Sequence, residues 1–215
     1  MPRPSVLLYD WDNTLVDGWA GIAAALNAVF TVFTMPHWTA DETRARARES
    51  LSEAFPRMFG ARWQDAREIF YTALTRQHLA HVRPMPGAAE ALAAGRTWKQ
   101  GVVSNKNGPF LRAEVAHLGW ADHFRAVVGA GDAAADKPDP APIHLALQEL
   151  GSQADRSVWY LGDTALDMRA ARAAGVTAVL IGDAAHDLGV DAAAPDLHFP
   201  SAHALAEHLH RLATG

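Results

Sequence analysis

Short apolar runs of strand length alternate with segments of helical periodicity along most of the chain. The runs contain few polar positions, as expected of parallel strands that are buried on both faces. The strand runs cover residues 6–9, 101–105, 125–129, 157–163, 177–182 and 197–199, and the helical segments between them include 88–94, 110–118, 142–150, 166–174 and 202–212. This alternation predicts an α/β fold, a doubly wound parallel sheet flanked by helices.

The segment that follows the first strand run has a different pattern. It is rich in Ala, Arg and Glu and contains no run that resembles a strand. Its first part has apolar residues at spacings of three and four, which predict one face of an amphipathic helix: Trp19, Ile22, Ala23, Leu26, Val29, Phe30 and Phe33. We therefore predict a core formed by residues 1–16 and 84–215, with a small all-helical module inserted at 17–83.

Composition limits the classes of partner. The chain has 215 residues, a formal net charge of -5 and no basic run, which argues against a nucleic-acid partner. It has no cysteine, so disulfides and thiolate chemistry are excluded. No apolar run approaches membrane-spanning length, and the N-terminus leads directly into a strand without room for a signal peptide. These features predict a cytoplasmic protein without a membrane partner, either a monomer or a homodimer.

Polar residues collect where four of the predicted strands end. Because the carboxyl ends of parallel strands share one edge of a sheet, residues far apart in sequence can meet there. Together they offer carboxylates, one ammonium and small hydroxyl or amide donors, an oxygen-rich environment suited to Mg²⁺ and a phosphate group. The four clusters are Asp10/Asp12/Thr14, Ser104/Asn105, Lys137 and Asp163/Asp167.

The same residues resemble the four motifs of the haloacid dehalogenase-like (HAD) hydrolase superfamily. The DxDxT motif corresponds to residues 10–14, and the Ser that ends a later strand corresponds to Ser104. Lys137 precedes Pro-Asp-Pro, and the GDxxxD motif corresponds to residues 162–167. The order, spacing and strand context of the motifs agree with the superfamily over essentially the whole chain.

The resemblance implies a hydrolase that transfers a phosphoryl group through an aspartyl-phosphate. Asp10 would be the nucleophile, and Asp12 the general acid and base that protonates the leaving alcohol and then activates water. Ser104 and the backbone of Asn105 would bind phosphoryl oxygens, Lys137 would offset the negative charge, and Thr14 would brace the loop.

The resemblance also implies a metal site. Mg²⁺ would be held by the Asp10 side chain, the backbone carbonyl of Asp12 and the Asp163 carboxylate. Asp167 would orient Lys137 or a metal-bound water rather than bind the ion.

The inserted helices resemble the C1 cap of the superfamily, which closes over the site and supplies contacts to substrate. Arg48 and Ser50, near the middle of the insertion, are the candidates for such contacts. Residues 104–106, Ser-Asn-Lys, look like the Thr-Asn-Lys segment of phosphoglycolate phosphatases, which suggests a small phosphorylated metabolite as substrate. Asn13 departs from the Gly that many of those enzymes have.

Two alternative functions stay open. A phosphomutase of the β-phosphoglucomutase type would keep all four motifs. A receiver-like signalling protein also gathers aspartates, a hydroxyl residue and a lysine around Mg²⁺, although it is shorter and has no inserted module. A haloacid dehalogenase is less consistent with the sequence, because those enzymes lack the second aspartate of the first motif, here Asp12.

Overall fold

In the computed structural model, which describes residues 3–46 and 51–215, six parallel strands form one sheet. The strands are β1 (Val6–Tyr9), β2 (Lys99–Asn107), β3 (Ala126–Ala130), β4 (Val158–Gly162), β5 (Thr177–Ile181) and β6 (Leu197–Phe199). Their order across the sheet is β3-β2-β1-β4-β5-β6. The predicted doubly wound parallel sheet is therefore confirmed.

The helices follow the strands in the order expected of this fold. Their bounds are α1 (Trp19–Val32), α2 (Ala40–Arg46), α3 (Leu51–Phe59), α4 (Trp63–His81), α5 (Ala88–Ala94), α6 (Gly108–His117), α7 (Ala141–Glu149), α8 (Ala165–Ala173), α9 (Val190–Ala193) and α10 (Ala202–Thr214). Within the described part of the chain, no helix combines the length and the apolar character needed to cross a membrane.

The central strand β1 is apolar along its whole length because both of its faces are covered. Val6 and Leu8 pack into a core with Ile143 of α7 and Met168 of α8. Leu7 is fully buried as well, although it points to the opposite face of the sheet. The loss of alternation in the sequence pattern is thus explained by burial on two sides.

The chain divides into two compact units. One contains Met1–Asp17 and Arg83–Gly215, with the whole sheet, and the other contains Gly18–Val82. The second unit has its own apolar core, in which α1 packs against α4. Phe30, Phe55 and Phe70 are almost fully buried in that core, and the rings of Phe55 and Phe70 meet edge to face at 5.7 Å.

The strand order places the change of direction beside β1. From β1 the chain builds β2 and β3 on one side, then crosses to β4, β5 and β6 on the other. In open α/β sheets, the crevice at such a switch point, outside the carboxyl ends of the strands, is the usual ligand site. The ends of β1, β2 and β4 are therefore where the chemistry is expected.

Candidate active site

Asp10 and Asp163 lie at the ends of two neighbouring strands. Tyr9 of β1 pairs with Leu161 of β4, and the Asp10 N–H donates to the Leu161 carbonyl at 2.8 Å. Asp163 is the first residue after β4. Both carboxylates are buried, and the parallel register of β1 and β4 is what brings these distant parts of the chain side by side.

Lys137 reaches the same place from the loop before α7. Its ammonium donates to Asp10 Oδ1 at 2.6 Å, to Asp167 Oδ1 at 2.7 Å and to the Tyr160 hydroxyl at 2.8 Å. The side chain of Lys137 is only 3% exposed. An ammonium has three donors, and here each has an acceptor, so this buried lysine is both paired and fully hydrogen-bonded.

Asp167 is fixed by the start of α8. Thr164 caps the helix, and its hydroxyl and N–H both donate to Asp167 Oδ2, at 2.6 and 3.1 Å. The Asp167 N–H donates back to the Thr164 hydroxyl at 3.3 Å, which completes a capping box. Both oxygens of Asp167 thus accept from protein donors, an arrangement suited to orienting Lys137.

Gly162 makes room for this arrangement. A Cβ at position 162 would overlap the side chain of Asp167. We expect Gly162→Ala to displace Asp167 and to lower the free energy of unfolding by about 1–3 kcal/mol, with a large loss of activity. Denaturant unfolding and steady-state kinetics would measure both effects. Gly21→Ala, on α1, is the control, since its Cβ would meet only ordinary contacts and alanine favours a helix. Equal behaviour of the two variants would contradict the prediction.

Asn105 connects the end of β2 to the lysine loop. Its side-chain amide donates to the Lys137 carbonyl at 2.8 Å, and its Oδ1 accepts from the Lys137 N–H at 2.9 Å. These two hydrogen bonds fix the position of the Lys137 backbone, from which its side chain extends to Asp10. Ser104 is buried, and its hydroxyl accepts from the Lys106 N–H at 3.2 Å. The phosphate-binding roles of Ser104 and Asn105 stay predictions.

The loop after β1 turns sharply at Asn13, whose φ of 65° lies in the left-handed region. Glycine adopts this conformation most easily, and asparagine is among the few other residues that tolerate it. Asn13 therefore adopts at this turn a conformation that glycine would adopt at less cost. Next to it, the Thr14 hydroxyl donates to Asp163 Oδ1 at 2.9 Å and links the loop to the end of β4.

Asp12 has a cation beside it that the motif analysis did not assign. The Lys106 ammonium donates to Asp12 Oδ1 at 2.8 Å and lies 2.7 Å from Glu114 Oε2 on α6. The indole N–H of Trp11 donates to the same Glu114 oxygen at 2.7 Å. Lys106 belongs to the Ser-Asn-Lys segment, but the sequence gives no sign that it faces Asp12.

The sequence also gives no sign that Tyr160 and His186 belong to the site. Tyr160 is inside β4, where its pattern is that of a core residue, yet its hydroxyl contacts Lys137 and donates to the Val103 carbonyl at 2.8 Å. His186 Nε2 lies 3.1 Å from Asp163 Oδ2. Arg48 and Ser50, the predicted cap contacts, lie outside the described residues.

Burial and like charges shape the electrostatics of the aspartate cluster. Loss of solvent raises the pKa of Asp10 to about 7, with Asp167 and Asp163 adding to the rise and Lys137 opposing it. Burial raises the pKa of Asp163 as well. Burial by itself lowers the pKa of Lys137, but the carboxylates of Asp10 and Asp167 raise it well above its usual value. Three carboxyl groups, those of Asp10, Asp163 and Asp167, thus share the pocket with one ammonium.

This cluster fits a divalent metal ion. Asp10, Asp163 and Asp167 each offer an oxygen, and these atoms lie within 4.8 Å of one another. Among the described residues, no hydrogen bond of good geometry reaches the buried Asp163 Oδ2, although His186 Nε2 lies 3.1 Å from it. Carboxylate oxygens are the preferred ligands of hard cations, and a buried carboxylate is costly unless a cation or hydrogen bonds offset its charge. Because protein donors occupy both oxygens of Asp167, Asp10 and Asp163 are the better candidates to hold the ion.

The raised pKa of Asp10 predicts a pH-dependent stability of the metal-free protein. Asp10 binds its proton more tightly in the folded than in the unfolded chain, so protonation of Asp10 stabilises the folded protein. This stabilisation is fully present below about pH 4 and is lost as the pH rises to about 7. We expect the Tm in EDTA to fall over this range, and added Mg²⁺ to stabilise more at pH 8 than at pH 5. Differential scanning fluorimetry would test this. The Asp10→Asn variant should have a flatter profile; a slope unchanged by that substitution would contradict the assignment.

The comparison with known families agrees with the motifs. The family model described as haloacid dehalogenase-like hydrolase matches residues 7–181. Phosphoglycolate phosphatase of Rhodospirillum rubrum is 32% identical to the chain over 192 residues, which cover 83% of this chain and 79% of that protein. Phosphoglycolate phosphatase of Pectobacterium atrosepticum is 31% identical over 183 residues, with 80% and 78% covered.

Solved structures share the fold. The haloacid dehalogenase-like family hydrolase of Streptococcus pneumoniae superposes with a TM-score of 0.78 at 21% identity, with 98% of each chain covered. A HAD-superfamily hydrolase of Ehrlichia chaffeensis gives a TM-score of 0.69 at 23% identity, with 99% of each covered. The chain belongs to the haloacid dehalogenase-like hydrolase family. The predictions that it is a hydrolase of this family and that it resembles phosphoglycolate phosphatases are confirmed.

Proposed function

We propose that the protein is a Mg²⁺-dependent phosphatase that hydrolyses a small phosphomonoester through a phosphorylated Asp10. The observation that carries this proposal is the contact of Lys137 with both Asp10 and Asp167, beside the buried Asp163. A carboxylate can attack a phosphate dianion only when their repulsion is offset, and the lysine and a bound cation would offset it. Asp10 and Asp163, with the Asp12 carbonyl, would hold Mg²⁺, which supplies Lewis-acid stabilisation of charge.

The protein's own residues would then perform two displacements. In the first, an Asp10 oxygen attacks phosphorus, the bond from phosphorus to the ester oxygen breaks, and Asp12 gives that oxygen a proton. In the second, Asp12 takes a proton from water, the water oxygen attacks phosphorus, and the bond to Asp10 breaks. Phosphate leaves, and both aspartates return to their starting states. Ser104 and the Asn105 N–H would bind phosphoryl oxygens throughout.

Phosphoglycolate is the substrate that we propose, because the relatives over 30% identical carry that name and residues 104–106 resemble their segment. The helical unit would act as the cap. A receiver-like role receives no support, since the match is to a hydrolase family over most of the chain. Cytoplasmic location and a monomeric or homodimeric state stay predictions.

A phosphomonoester panel tests the proposal. It contains phosphoglycolate, sugar phosphates, nucleotides and p-nitrophenyl phosphate, each assayed for phosphate release with Mg²⁺ and with EDTA. We expect release with Mg²⁺, none with EDTA, and the highest kcat/KM for phosphoglycolate. Isomerisation of a sugar phosphate without net release would indicate the phosphomutase instead. An inactive panel in Mg²⁺ would refute the enzymatic proposal.

A further inference from the structure

Lys106 is a lysine beside the site whose ammonium contacts two carboxylates. It is near the carboxyl end of β2, where the pairing register with β3 shifts between Val103 and Asn107. Its side chain is 16% exposed, and its ammonium lies between Asp12 Oδ1 at 2.8 Å and Glu114 Oε2 at 2.7 Å. Burial alone lowers the pKa of Lys106, but Asp12 and Glu114 raise it above its usual value. The lysine is therefore a cation with two carboxylate partners.

Glu114 holds the lysine from the other side. Its side chain is 1% exposed, and the Trp11 indole donates to the same oxygen that Lys106 contacts. A buried carboxylate is costly unless it is paired and hydrogen-bonded, and the proposed reaction gives Glu114 no chemical step. Trp11 directly precedes Asp12 in the chain. Glu114 thus attaches both the backbone before Asp12 and the ammonium beside it to α6.

The Asp12 side chain needs a partner to fix its orientation. Its side chain is 32% exposed and lies in the turn that passes through the left-handed Asn13. Without Lys106, a carboxylate this exposed has several staggered rotamers open to it. With Lys106 on Oδ1, one orientation is selected, and among the described residues no hydrogen bond is made to Oδ2. That second oxygen is the one left to exchange a proton with a reacting group.

We propose that Lys106 is a positioning residue that aims Asp12 at the leaving oxygen, with Glu114 and Trp11 fixing the lysine. This inference rests on the proposed function, because it needs Asp12 to be the acid and base. A direct phosphate contact by Lys106 is less consistent with the geometry, since two carboxylates already balance its charge. Proton transfer from a correctly oriented group typically raises the reaction rate by about 10²–10⁴-fold. Loss of the orientation alone should remove a part of this, and lower the rate about 10–100-fold.

The leaving group provides the test. Poor leaving groups such as alkoxides need a proton from Asp12, whereas 2,4-dinitrophenolate departs without one. We expect Lys106→Met to lower kcat for the best alkyl phosphate of the panel by about 10–100-fold, with KM changed less than about threefold. The first-turnover burst of dinitrophenolate from 2,4-dinitrophenyl phosphate should fall less than about threefold, with phosphoenzyme accumulating after it. Lys106→Arg should restore part of kcat, and Glu114→Gln should resemble Lys106→Met in a milder form.

Lys99→Met is the matched control. Lys99 begins the same strand, but its ammonium donates to the carbonyls of Leu150 and Gly151 after α7, at 2.7 and 3.3 Å. Its loss should lower the Tm without distinguishing between the two substrates. All rates are measured with Mg²⁺, beside the Tm of each variant.

Three outcomes would overturn the positioning role. Equal losses on both substrates would indicate a structural role, and a rise in KM with kcat unchanged would indicate a phosphate contact. If neither kcat nor KM changes, Lys106 has no role in the reaction. These results leave the proposed function intact, provided that the wild-type protein releases phosphate and becomes phosphorylated on Asp10. A wild-type protein that does neither would overturn both proposals together.

Discussion

Asp10→Asn is expected to lower phosphate release by about 10⁴-fold or more, as losses of a nucleophile do in other hydrolases. An amide oxygen is a far weaker nucleophile than a carboxylate, and no aspartyl-phosphate can form at position 10. The substitution keeps the side-chain volume, so the loss should not come from unfolding. Phosphate release and the mass of acid-quenched protein, which reports the phosphoenzyme, would measure the two consequences separately.

The stability of this variant gives a second readout. Because burial and neighbouring acids raise the pKa of Asp10 to about 7, its ionised form opposes folding at higher pH. We therefore expect Asp10→Asn to keep or raise the Tm of the metal-free protein at pH 8. Asp122→Asn is the control, an exposed aspartate before β3 whose loss should alter neither quantity. A phosphorylated Asp10→Asn protein would show that the nucleophile lies elsewhere.

Lys137→Met should have the largest effect on stability. It leaves Asp10, Asp167 and Tyr160 without the donor that all three contact. Removing one partner of a buried ion pair costs about 3–5 kcal/mol, which corresponds to a fall in Tm of about 6–20 °C for a chain of this size. Activity should fall at least about 100-fold, because the attacking carboxylate loses its counter-charge. Thermal unfolding and kcat would be compared at pH 7.

A double variant separates the two effects of Lys137. In Lys137→Met/Asp10→Asn, one of the stranded charges is gone, so part of the lost stability should return while activity stays absent. The recovery should be incomplete, because Asp167 still lacks its donor. A change in stability of the double variant equal to the sum of the two single changes would contradict the direct coupling of Lys137 and Asp10.

The sequence predicts most of the fold because its physical signals are local. The unbroken apolar run of β1 reflects burial on both faces, and the helix at 19–32 reflects one apolar stripe. The candidate aspartates and Lys137 could be chosen because each follows a strand, and parallel strands end at a common edge. The strand β2 is longer than its apolar run, since it continues through polar residues to Asn107 with a shifted register. Hydrophobic periodicity cannot detect such an extension.

The contacts around Asp12 and Lys137 depended on the tertiary structure. Glu114 on its own helix is one acid among many, and Tyr160 inside β4 has the pattern of a core residue. Each becomes part of the site only when packing brings an ammonium to within 3 Å of it. The sequence alone determined the layered fold, the edge where acids and a lysine gather, and the family. Which charge faces which was decided by packing, because ion-pair geometry depends on distances that are set by residues far apart in the chain.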